Sequence, residues 1–443
     1  MKIINKENNK LAIFGGKKTI SHKFTNYNSI GKEELEAVKK VVKSGKLSSF
    51  LGTHSKDFYG GKKVIEFEKK WSKLFKVKYA ISVNSWTSGL IASVGSLDIN
   101  PGDEIIVSPW TMCASATCIL HWNAIPIFAD INLEDFCLDP ASVEKNITKK
   151  TKAILTTDVA GHPSRYNELK DIALKYNLKI ISDNAQSIGS KYYGKYSGTN
   201  VDIGGYSLNY HKHIHTGEGG VVVTNNKILS ERIKLIRNHA EAVIPERKSI
   251  KLNNMIGYNF RLGEMEAAIG VEQIKKLKKI VKKRQKIASY LNLRLGKLKG
   301  LIIPKVQKGS THSYYIYMMR IDRNILNVSR DLLFEALQAE GVPNISKNYQ
   351  NLHLLPMFQK KIAYGDKNFP WSYKHARKNI NYKKGICPNA ELLNDKEYIG
   401  FEMCKSQLSK KELDMLIKAF NKIWNNISEL ENYEKKNYFK KPK

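Results

Sequence analysis

Short apolar runs recur along the first half of the chain, at Tyr79 to Val83, Glu104 to Val107, Ile125 to Ala129, Ala153 to Thr157 and Lys179 to Ser182. Between them lie stretches with helical spacing of apolar positions, such as Leu90 to Leu97, Pro140 to Ile147 and Tyr166 to Tyr176. This alternation predicts βαβ units and a mostly parallel sheet covered by helices on both faces. Two further runs, Val201 to Leu208 and Gly219 to Thr224, predict strands separated by a polar loop. Residues Leu262 to Leu295 then predict one or two long, basic amphipathic helices. Beyond Leu301 the pattern changes to an aromatic strand at Ser313 to Arg320, a helix at Arg330 to Gly341 and a final helix at Lys410 to Ile427. In that last helix Leu413, Leu416, Ile417, Phe420 and Ile423 form an apolar stripe that reads as core.

At 443 residues the chain exceeds most single cores. The expected division is a large domain at 1–275, a connecting helix at 276–300, a smaller C-terminal α+β domain at 301–432 and a basic, disordered tail at 433–443.

The loop between the two later strands carries the densest chemistry: Ser207-Leu-Asn-Tyr-His-Lys212-His-Ile-His-Thr-Gly-Glu-Gly-Gly220. One lysine on a polar loop, followed by glycines that let backbone approach a ligand, is what an enzyme needs to hold an aldehyde cofactor as a Schiff base. Upstream, the strand Ile180-Ile-Ser ends in Asp183-Asn-Ala-Gln186. A carboxylate at a strand's carboxyl end faces the ligand crevice of such sheets. Beside a pyridine ring it would keep the nitrogen protonated, and Gln186 would reach the ring's 3′-oxygen. Capping a helix is the competing role for Asp183. A third segment, Asn84-Ser-Trp-Thr87-Ser88-Gly89, follows a strand and opens a helix, so free amides converge where a phosphate dianion would sit.

The order Asp-x-x-Gln, Ser-x-x-x-x-Lys, Thr-Gly-Glu-Gly-Gly resembles the fold-type I, pyridoxal-phosphate-dependent sugar aminotransferases called the DegT or StrS family. The resemblance extends over about residues 30 to 290 through Asn84 to Leu90, Pro101 to Pro109, Phe128-Ala-Asp130-Ile131, Gly161-His-Pro163 and Gly257-Tyr-Asn259-Phe-Arg261. It implies pyridoxal 5′-phosphate held by Thr87, Ser88, Asp183, Gln186, Ser207 and Lys212. It also implies that Asn259 is donated across a homodimer interface, so that each active site is shared. The implied reaction moves an amino group, from glutamate, to a keto-sugar linked to a nucleotide, for a surface polysaccharide or glycoside. Relatives with histidine at the lysine position run dehydration or deoxygenation, so Lys212 points to transamination.

Two departures stand out. The family reads Gly-Thr in the phosphate turn where this chain has Trp86-Thr87, and tryptophan cannot take glycine-only conformations. The family also stacks an aromatic on the pyridine face, whereas the corresponding pair here is Thr111-Met112. Met112 offers a polarisable apolar surface, Trp110 is the alternative, and both also read as plain core residues at a strand end.

The formal charge of +33 raises a nucleic-acid or membrane-surface reading. Lysines are spread along the chain, as at Lys39-Lys40, Lys149-Lys150 and Lys282-Lys283, which reads as a compositional bias that would still steer anionic substrates. The five cysteines, Cys113, Cys118, Cys137, Cys387 and Cys404, show no metal or disulfide spacing and predict a reduced, cytoplasmic protein. Met1 to Lys10 is polar, and no apolar run approaches the ~18 residues of a membrane span. The alternating His211, His213 and His215 suggest a metal face, but no acidic or cysteine partners accompany them, and no metal is expected. Gly45 to Gly61 reads as a loop over the active site or as a surface connection; Tyr314, Tyr315 and Tyr349 are candidate substrate contacts. Beside the aminotransferase stand a non-catalytic binding or regulatory protein of the same fold and a pyridoxal-phosphate-dependent sugar dehydratase.

Overall fold

The computed structural model describes residues 10–246 and 250–438. The predicted strands form one seven-stranded sheet: β1 (Tyr79–Val83), β2 (Glu104–Val107), β3 (Ile125–Phe128), β4 (Thr151–Thr157), β5 (Lys179–Asp183), β8 (Ile203–Ser207) and β9 (Gly220–Thr224). Between β5 and β8 lies a two-residue hairpin of β6 (Lys191–Tyr192) and β7 (Lys195–Tyr196). The sheet order is β1-β9-β8-β5-β4-β2-β3, with β9 alone running against its neighbours. The parallel strands are apolar at their centres, as Ile105, Ile106, Ile154, Leu155, Ile180 and Ile181 show, because helices cover both faces. Every parallel strand therefore presents its carboxyl end on one rim, where such folds bind ligands.

One helix, Glu264–Leu295, bridges the two halves. Its 32 residues span about 48 Å. Ala267, Val271 and Leu277 pack beneath the large sheet, whereas Ala288, Leu291 and Leu295 enter the second core. The bridge thus begins well before position 276, the expected boundary. The second unit is a four-stranded antiparallel sheet of β10 (Leu301–Ile302), β12 (Tyr317–Ile321), β14 (Tyr398–Phe401) and β13 (Ile345–Ser346), with helices Arg330–Ala339 and Lys410–Asn425 against it. Short strand β11 (Ser310–Thr311) leaves it to join β6.

Three boundaries differ from the expectation. Leu11, Ile20 and Phe24 sit in the second core, with Ala12 and Thr19 donating to buried Glu340, so the N-terminal segment packs with the C-terminal half. Phe358, Trp371, Tyr382 and Leu393 pack in the large domain's core instead, because β3 is an edge strand and needs cover. The tail is helical over Ile427–Tyr438, a separate helix that follows the break at Asn426 and passes the expected start of disorder at 433; residues 439–443 lie outside the described ones. Gly385 to Glu391 holds a helical turn from Pro388 whose first amides, Asn389 and Ala390, donate to Asp130 at 2.8 and 3.0 Å. That explains the carboxylate in the Phe128-Ala-Asp130-Ile131 motif.

Among the described residues no helix is long and apolar enough to cross a membrane.

Candidate active site

The carboxyl ends of β1, β2, β4, β5 and β8 surround one cleft of about 440 Å³, closed on the far side by Tyr315, Ser346, Tyr349, Tyr398 and Glu402 from the second unit. Lys212, Asp183, Gln186, Ser207, Thr87 and Met112 all line it. Thr87 and Lys212, 125 positions apart in sequence, thus meet because parallel strands deliver their ends to the same rim.

Lys212 sits in the loop after β8, its backbone amide bonded to the Asn209 carbonyl at 2.9 Å. The side chain is 8% exposed, and its ammonium lies 4.6 Å from the centre of the Tyr315 ring. Burial lowers its pKa to about 8, and the Asp183 carboxylate partly opposes the shift. The amine is therefore close to giving up its proton at neutral pH, as a nucleophile must.

Asp183 ends β5 and is 4% exposed. Its Oδ1 accepts from the Trp86 indole N–H at 2.7 Å and the Ala185 amide at 3.0 Å; its Oδ2 accepts from the Ser115 hydroxyl at 2.7 Å. It caps no helix, which removes the competing role. Gln186 uses both ends of its amide, accepting from the Ala160 amide at 2.7 Å and donating to the Tyr349 hydroxyl at 2.9 Å.

The turn expected to hold a phosphate is the start of helix Trp86–Ser96. Ser85 caps it by accepting from the Ser88 amide at 3.1 Å, leaving the Trp86 and Thr87 amides without an acceptor among the described residues. Ser88 lies one step below the cleft, its hydroxyl 2.9 Å from that of Ser85, which does line the cleft. Trp86 adopts an ordinary helical backbone, so the missing glycine costs no strain at this position. The fit to a phosphorylated pyridine is chemical: open amides and the hydroxyls of Ser85, Thr87 and Ser207 at one end, a carboxylate at the other, an amine between, and a buried Thr157 hydroxyl left unpaired beside them.

Met112 is 58% exposed and lines the cleft, whereas Trp110 is fully buried behind it, edge-on to the lining residues Tyr349 and Tyr398. Tyr314 stacks on His312 outside the cleft. The three histidines face different neighbours: His211 lines the cleft, His213 bonds the Ser313 carbonyl at 2.9 Å, and His215 lies by the Gly217 amide. Burial lowers the His211 pKa to about 4, with Lys212 adding to the effect, so His211 is neutral. Residues 45–61 line no part of this cleft and pack on the segment 237–239 instead, with Asn238 donating to the carbonyls of Leu51 and Phe58. Asn259 is also outside the cleft; it is exposed, and its side-chain oxygen accepts from Arg261 at 2.7 Å.

Several contributors were not read from the sequence. Ser115 and Trp86 hold Asp183. Asp158, at the end of β4, is a buried hub accepting from Ser164, Tyr166, Ser197 and Asn184, and burial raises its pKa to about 7. It fixes Asn184, the residue after Asp183, and its own amide bonds the Asp183 carbonyl at 3.0 Å. The strand-end logic that found Asp183 applies equally to Asp158. Glu402, paired with Lys405 at 2.8 Å, is a cleft residue for which the sequence holds no local signal.

The chain matches the model of the DegT/DnrJ/EryC1/StrS aminotransferase family over residues 28–384. It is 31% identical to GDP-perosamine synthase of Vibrio cholerae over 330 residues, covering 74% of this chain and 87% of that one. Among solved structures it resembles DesV of S. venezuelae, described in complex with a ketimine intermediate, with a TM-score of 0.73 and 25% identity, covering 88% and 94% of the two chains. It also resembles a GDP-4-keto-6-deoxymannose-3-dehydratase with a trapped PLP-glutamate geminal diamine, with a TM-score of 0.71 and 25% identity, covering 90% and 100%.

Proposed function

Because the chain belongs to the DegT/DnrJ/EryC1/StrS aminotransferase family, we propose that it takes nitrogen from glutamate and delivers it, through Lys212, to a keto-sugar carried on a nucleotide. The broader class is settled by that membership: the protein is a pyridoxal-phosphate-dependent sugar aminotransferase of amino-sugar and polysaccharide biosynthesis. Likeness to GDP-perosamine synthase supports the nucleotide-linked acceptor.

Bound pyridoxal phosphate supplies an aldehyde for an amine and a ring that withdraws electrons from the substrate carbon. Lys212 would hold that aldehyde, and its amine, with a pKa of about 8, is suited to take a proton from and return it to the substrate carbon. Asp183 would keep the ring nitrogen protonated, and the Trp86 and Thr87 amides, with Ser85, Thr87 and Ser207, would hold the phosphate. Met112 would cover one ring face, and Tyr315 and Tyr349, on the cleft's far wall, would exclude water.

The observation that carries this reading is the meeting of Lys212 and Asp183 in one cleft whose third side is an open helix N-terminus. Lysine at 212 favours transamination over the dehydration of the 3-dehydratase relative. Asn259, exposed and away from its own cleft, suits donation to the cleft of a second copy in a homodimer. Five free cysteines support a cytoplasmic setting.

In the test, glutamate added to the cofactor-loaded protein should bleach the visible absorbance and release 2-oxoglutarate, and Lys212→Ala should lose both the band and turnover. An unchanged spectrum would leave the non-catalytic binding protein as the better reading, and turnover retained in Lys212→Ala would remove Lys212 from its role.

A further inference from the structure

Trp86 opens the helix at one end of the cleft, and its indole reaches the Asp183 carboxylate. The ring is 5% exposed and lies between the helix it starts and the sheet. Space for it is made by glycines: a methyl group on Gly89 would come 2.6 Å from the ring, and one on Gly205, beside Asp183 in the sheet, would overlap it. A large side chain enclosed by glycines on two separate elements fixes the indole's orientation. Its one polar atom then lies 2.7 Å from Asp183 Oδ1.

An ionised carboxylate offers about four lone-pair directions. Three of those on Asp183 are taken by Trp86, the Ala185 amide and Ser115. One direction on Oδ2 is left for a ligand. We propose that Trp86 is a positioning residue for the cofactor's ring nitrogen: its indole N–H locks the Asp183 carboxylate so that the single free lone pair points into the cleft. This rests on the assignment of Asp183 to the ring nitrogen.

The test uses apo-protein titrated with pyridoxal phosphate and with an analogue carrying carbon in place of the ring nitrogen, with affinity read by equilibrium dialysis. Trp86→Phe keeps the aromatic bulk and deletes the donor. It should weaken pyridoxal phosphate ~10-fold, in the range of a lost hydrogen bond to a charged group, and leave the carbon analogue unchanged. Gly205→Ala, which displaces the indole without altering either partner, should give the same selective loss and serves if Trp86→Phe does not fold. Asp183→Asn is the reference. If Asp183→Asn is selective and both Trp86→Phe and Gly205→Ala bind the two ligands as wild type does, or weaken both equally, Trp86 is only packing and the proposal is overturned while Asp183 keeps its role. If Asp183→Asn does not discriminate between the ligands, the Asp183 assignment falls and this proposal falls with it.

Discussion

Burial sets how readily the Lys212 amine gives up its proton. Burial brings its pKa to about 8, and Asp183 holds it from falling further. Below that value the amine is protonated and cannot attack an aldehyde; above it the lone pair is free. Capture of pyridoxal phosphate by apo-protein should therefore accelerate with rising pH around a midpoint near 8, well below the ordinary lysine value of about 10.4. Asp183→Asn removes the stabilising negative charge and should move that midpoint lower, which a stopped-flow pH series measures; a midpoint unmoved in the variant would show that the two groups do not sense each other. Lysine, aspartate, glutamine and serine were each legible in the sequence because a polar residue breaking an apolar run at a strand end is conspicuous. Trp86 and Ser115 were legible as residues but not as partners of Asp183, because their bonds to it span 97 and 68 positions.

Strand ends and helix starts are the elements that do the assembling. The helix at Trp86 leaves amides open to a ligand, whereas the turn at Pro388 has its amides satisfied by Asp130 from the large domain. The first can receive a ligand and the second is a clamp. Asp130→Ala should uncap that turn and cost about 2 kcal/mol of stability, from a lost cap and buried unpaired amides. Thermal melting should register the loss while affinity for pyridoxal phosphate stays as in the wild type; a fall in affinity instead would place Asp130 in the site's support. The strand and helix pattern was readable because period-two and period-3.6 burial is written into composition. The cover over edge strand β3 was not, since Trp371, Tyr382 and Arg377 sit in a stretch without periodicity, and Arg377 reaches buried Glu104 at 2.6 Å from 273 positions away.

For the molecule as a whole, Asn259 poses the decisive question, because the chain keeps it outside its own cleft. In a shared-site dimer, Lys212→Ala and Asn259→Ala variants, each inactive alone, should recover about a quarter of wild-type turnover when mixed and reassociated, since half the dimers are mixed and each restores one site. No recovery on mixing, with mixed dimers present, would place Asn259 outside the partner's site. The sequence by itself determined the sheet, the lysine loop, the carboxylate strand end and the family, because these follow from local periodicity and from residues clustered within short segments. Tertiary structure alone decided which half the N-terminal segment joins, that Trp110 is buried while Met112 faces the cleft, and that Trp86 grips Asp183. Those outcomes depend on packing between segments remote in the chain, where the free volume left by one element selects the side chain of another, and no local pattern encodes that choice.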